Sequence, residues 1–165
     1  MAERKVDLAT YVSMKPQSTF AKLLQNSVNY KNVQTSKPSD SHPGTVGIYT
    51  GALPRTHGIW YDTVWSRDLF TFASKCTGPP GMNLLNDESI DIDSNALDGG
   101  GGFDITQLSW TKTSWGSCAY NLPHNVLRTS TIFEVVRNNG GFTKFTDKHP
   151  SYEILNGPSG TGIYV

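Results

Sequence analysis

His57 lies five residues before Asp62 and eleven before Asp68. An imidazole next to a carboxylate is an acid–base pair able to move a proton near neutral pH. Farther along, Asp87, Glu88, Asp91, Asp93, Asp98 and Asp104 gather in a stretch with no Lys or Arg between Lys75 and Lys112. Within it, Asp91-Ile92-Asp93-Ser94-Asn95 has the alternating oxygen ligands that open an EF-hand calcium loop. The match then stops. Ala96 stands where the tight-turn glycine belongs, and Gly102 where the bidentate glutamate belongs. The stretch reads as a solvated acidic loop or a face that meets a basic partner, with an irregular calcium site as the lesser alternative.

His124, Asn139 and His149 follow in the order and rough spacing of an HNH-type nuclease site. Such a site needs its last histidine on a helix. The segment GGFTKFTDKHP, with two glycines, alternating aromatics and Pro150 directly after His149, is a poor helix. Gly99 to Gly102 offer a flexible backbone, but Asp98 and Asp104 flank them and would repel a phosphate. Gly157-Pro158-Ser159-Gly160 lacks the closing glycine of a nucleophile elbow, since Thr161 holds that place, and reads as a turn. No standard catalytic pattern is complete, so no catalytic, cofactor or metal residue is assigned.

The aromatics Trp60, Tyr61, Trp65, Trp110 and Trp115 are numerous for a chain of this size. Core packing, a protein interface and stacking on sugar rings all use such side chains.

The elements that must position these groups read as follows. Residues 1–16 are polar and form an arm. Ser18 or Thr19 caps a helix over about 19–30, with Phe20, Leu23, Leu24 and Val28 on one stripe. Residues 31–45, KNVQTSKPSDSHPGT, read as linker, which divides the chain into 1–45 and a body at 46–165. In the body, VGIYTG, HGIWYDTVW, DLFTFASKC, ITQLSWTKTSW, SYEIL and IYV are short runs rich in β-branched and aromatic residues. STIFEVVR and FTKFTD around Asn138-Asn139-Gly140-Gly141 read as a hairpin. The expected fold is mainly β, an antiparallel sandwich or small barrel, with a jelly roll as one form. It carries an N-terminal arm and one short amphipathic helix.

Fourteen basic residues balance fourteen acidic ones, so no net field draws in nucleic acid or an anionic membrane. No run is apolar enough to span a bilayer, and the first residues do not resemble a signal peptide, which predicts synthesis in the cytoplasm. Cys76 and Cys118 are the only cysteines and read as two thiols, although their even number permits a bond.

An arm, a loop-rich β body and no finished catalytic pattern predict a non-enzymatic structural subunit of a large assembly. A virus or bacteriophage particle is the natural setting, with the chain as a capsid-decorating, connector or fibre-base protein of the virion. Its partners would be its own copies and other subunits, met through Phe20, Leu23, Leu24, Val28, Trp60 and Trp65. The first alternative is a carbohydrate-binding β-sandwich module with a glycan partner. The second is a metal-dependent nuclease or hydrolase using the histidines and acidic residues.

Overall fold

The computed structural model describes residues 5–30, 32–85, 92–93, 95–97, 100–102, 104–146 and 150–163. The chain divides into two compact units, residues 1–34 and 35–165.

The first unit holds two helices, α1 (Lys5–Met14) and α2 (Thr19–Gln25). The segment expected to be an arm is therefore largely helical. Ser18 caps α2, its hydroxyl accepting from the Ala21 N–H at 3.2 Å. The helix ends at Gln25, short of the expected residue 30. Tyr11 packs edge-on against Phe20, with ring centroids 5.8 Å apart.

The second unit is mixed α and β, not a sandwich or barrel. It contains α3 (Ser41–Thr50), α4 (Pro54–His57) and α5 (Ile132–Asn138). Five short strands are described: β1 (Thr63–Ser66), β2 (Leu69–Phe70), β3 (Met82–Leu85), β4 (Trp110–Lys112) and β5 (Cys118–Tyr120). β1 pairs antiparallel with β3, setting Trp65 opposite Asn83. β2, β4 and β5 form a second antiparallel sheet in which Phe70, Trp110 and Tyr120 lie in one row. Neither sheet is large enough to bury a second one.

The apolar runs went to helices for identifiable reasons. VGIYTG lies inside α3, which the Asp40 carboxylate caps and Gly51 closes in the left-handed region at φ 67°. The supposed hairpin arm is α5. Thr131 caps it, its hydroxyl accepting from the Glu134 N–H, and Glu134 returns the favour to the Thr131 N–H. That reciprocal pair is a capping box, and it outweighs the β propensity of Ile132, Val135 and Val136. Asn139 and Gly140 therefore end a helix rather than turn a hairpin. SYEIL belongs to a 3-10 segment, Pro150–Asn156, that sends Ile154 and Leu155 fully into the core. Phe72, expected to continue a strand past Phe70, lies beyond β2 and faces solvent.

The core is Val46 from α3, Ile59, Leu127, Ile154 and Leu155, with Tyr49, Phe133 and Phe145 packed around it. It holds α3, α5 and the two 3-10 segments at 123–126 and 150–156 in fixed relation. Cys76 and Cys118 are not free thiols; they form a disulfide that ties the loop after β2 to β5.

Candidate active site

The start of α3 gathers more chemistry than any position marked from sequence. Asp40 is the N-cap, with Oδ1 accepting from the Ser41 N–H at 3.1 Å. Its Oδ2 accepts from the Asp62 N–H, also at 3.1 Å. The Asp62 side chain reaches back: its Oδ1 accepts from the His42 N–H at 2.8 Å and lies 3.2 Å from His42 Nδ1. Two carboxylates from separate segments are thus interlocked across the first turn. A carboxylate only accepts, so His42 carries its proton on Nδ1. Its Nε2 is buried with no hydrogen-bond partner among the described residues. The His42 ring is 2% exposed and stacks on Tyr152, centroids 5.0 Å apart and planes 5° from parallel. Ser41, by contrast, is exposed.

The local sequence explains this arrangement. Pro43 lacks an N–H, which costs nothing in a first turn where that group has no helical partner. The aspartates occupy the N–H groups of Ser41 and His42, and both sit at the positive end of a ten-residue helix, where negative charge is favoured. The result is a first turn pinned by two carboxylates and an imidazole, with the exposed residue Ser41 in it.

The expected acid–base pair is therefore corrected. Asp62 pairs with His42, which sequence reading had placed in a linker, and not with His57. His57 is fully buried at the end of α4, and its Nδ1 accepts from the Ile59 N–H. Burial holds its pKa below the ordinary value. Asp68 is exposed on the turn between β1 and β2.

A second polar constellation surrounds the C-terminal turn. His124 Nδ1 lies 2.5 Å from Glu153 Oε1, and Glu153 also accepts from the His124 N–H and from the Asn156 side chain. The His124 ring lies against Gly160, where an added Cβ would come within 2.9 Å of it. Ser159 sits in the turn expected at 157–160, but its hydroxyl and N–H both bind the Glu134 carboxylate. Burial of Glu134 raises its pKa, but hydrogen bonds from Ser159, Ser130 and Thr131 outweigh that and leave it lowered. His124 with Glu153 and Ser159 with Glu134 Oε1 bind each other, while Glu134 Oε2 is buried with no hydrogen-bond partner among the described residues; the cluster braces the fold.

Other expected residues are dispersed. Asn139 caps the end of α5, away from any hydrogen bond to His124, and His149 lies outside the described residues. Of the acidic stretch, Asp87, Glu88, Asp91 and Asp98 lie outside the described residues, while Asp93 and Asp104 each bind groups two residues on. Among the described residues, no three His, Cys, Asp or Glu side chains are grouped to hold a metal ion. Phe20, Leu23 and Val28 are exposed on the first unit and Leu24 is half-buried; Trp60 and Trp65 are exposed on the second. Trp115 is also exposed, whereas Trp110 is half-buried against Tyr120.

An exposed serine in a turn held by two aspartates and a histidine is a set of residue types that hydrolases use. A model of the type I phosphodiesterase / nucleotide pyrophosphatase family matches residues 8–148, and the chain belongs to that family. No curated protein and no solved structure matches it. The membership overturns the expectation of a non-enzymatic structural subunit of a virus or phage particle: the family is one of hydrolytic enzymes. It favours the hydrolase alternative over the sugar-binding one.

Proposed function

We infer that this chain hydrolyses phosphodiester or pyrophosphate bonds of nucleotide-like substrates, with Ser41 as the nucleophile. The carrying observation is the interlock of Asp40, His42 and Asp62 that pins the first turn of α3 at the exposed residue Ser41. Family membership supplies the bond type.

The Ser41 Oγ attacks phosphorus, forming an Oγ–P bond as the bond to the leaving alcohol or phosphate breaks. The hydroxyl proton passes to a neighbouring carboxylate, for which Asp40 is the candidate next in sequence, and the leaving group on the opposite side of phosphorus takes its proton from water. Water cleaves the Oγ–P bond and restores the serine. Asp62 and His42 take no part in bond making; they hold the first turn of α3 so that Ser41 cannot swing away.

The test is turnover of bis(p-nitrophenyl) phosphate in buffer containing Mg²⁺, Mn²⁺ and Zn²⁺. Divalent ions are supplied because carboxylate oxygens suit hard cations. Ser41→Ala should reduce kcat by at least ~1,000-fold, the scale of losing a covalent nucleophile, with an unchanged circular dichroism spectrum. Turnover by Ser41→Ala within about threefold of the parent would overturn the assignment.

A further inference from the structure

We propose that the Cys76–Cys118 bond is a reducible clasp that holds the loop at 71–77 in a backbone conformation it would otherwise leave. Ala73, Lys75 and Cys76 have φ values of 62°, 48° and 57°. L residues avoid this left-handed region because Cβ crowds the following carbonyl. Three such residues within four positions persist only where the surroundings dictate the path.

Among the described residues little else does so here. The hydrogen bonds that fold the loop on itself are local: Ser74 N–H to Thr71 O, and the N–H and hydroxyl of Thr77 to Ser74 O. Phe72 and Lys75 are exposed and bury little, and Ser74 is only half-buried. β2, which precedes the loop, is only two residues long. The long-range tie is the disulfide, which reaches across 42 residues to β5. Both cysteines are only half-buried, so a small thiol can reach them. The buried core under α3 and α5 contains neither cysteine.

The switching step takes a dithiol reductant. Its thiolate attacks one cysteine sulfur, the Cys76–Cys118 bond breaks, and a mixed disulfide forms. The reductant's second thiol then closes on the first and leaves as a cyclic disulfide. Two electrons and two protons end on Cys76 and Cys118 as thiols. The loop relaxes toward right-handed backbone while the core stays folded.

Limited trypsin digestion with dithiothreitol as the probe tests this, because a protease needs an extended, released segment. Cleavage after Lys75 should be at least ~10-fold faster in the reduced chain, with cleavage after Arg128 and Arg137 unchanged. Cys118→Ser should behave as the reduced chain does without any reductant. Ala73→Gly, which removes one source of strain, should shrink the difference between the two states. Equal rates after Lys75 in both states would refute the clasp. A parallel rise after Arg128 and Arg137 would refute it too, since the bond would then be a staple of the whole fold.

Discussion

His42 shows how one side chain can serve a site it does not react in. Its ring is fixed on one side by Tyr152 and at Nδ1 by Asp62. The two contacts separate by substitution. His42→Phe keeps a ring against Tyr152 and loses the donor; His42→Asn keeps a donor near Nδ1 and loses the ring. If Asp62 must be held for Ser41 to be placed, kcat should fall at least ~10-fold in the Phe variant and recover in part in the Asn variant, at similar KM. Equal activity in all three chains would remove His42 from the account. His57 gives a prediction in pH. Its folded pKa lies below the ordinary 6.5, so the unfolded chain binds its proton first as pH falls. Its contribution to stability is complete above 6.5 and declines as the pH drops below that value. Urea midpoints should therefore fall more steeply on acidification in the parent than in His57→Asn, which retains an acceptor for the Ile59 N–H. Identical slopes would contradict the lowering of the His57 pKa by burial. The histidines themselves were visible in the sequence. Which of them meets Asp62 was not, because twenty residues separate that pair and only the path of the chain brings them together.

At the scale of elements, the decisive features are caps. Thr131-Ile132-Phe133-Glu134 is a capping box, and that signal stands in the sequence. It was outvoted by the β-prone Ile132, Phe133, Val135 and Val136 on either side of Glu134 and by an Asn-Gly pair that suits a hairpin equally well. Asp40 and Pro43 likewise announce a first turn, but among serines and a second proline they resemble a linker. Ser18 as the cap of α2 was legible because a clear apolar stripe followed it. Thr131→Ala should cost about 1–3 kcal/mol in urea unfolding, since the buried hydroxyl also donates to the Leu155 carbonyl. A loss below about 0.5 kcal/mol would mean the box contributes nothing to α5. Glu134, with its pKa lowered by the bonds it accepts, contributes stability above the ordinary glutamate value of 4.5 and loses it as pH falls further. Glu134→Gln should flatten that acid limb, as read from thermal midpoints across the same range.

At the scale of the molecule, short strands and many loops were legible from composition, but their share was not. Short apolar runs do not distinguish a buried strand from a buried helix turn, and here VGIYTG, STIFEVVR and SYEIL became helix or 3-10 segment around one core. The disulfide was equally hidden, because spacing along the chain does not give a distance in space. The second unit has its own buried core, so residues 35–165 should unfold cooperatively when produced alone. Ile154→Ala in that fragment should cost about 2–5 kcal/mol. A fragment without near-ultraviolet circular dichroism would contradict an autonomous core. The central claim, hydrolysis through a covalent bond to Ser41, is tested most directly by rapid acid quenching during turnover of bis(p-nitrophenyl) phosphate, followed by peptide mass spectrometry. The account predicts a phosphoryl adduct on the peptide containing Ser41 that is absent from Ser41→Ala. Steady turnover with no adduct, together with an active Ser41→Ala chain, would contradict it.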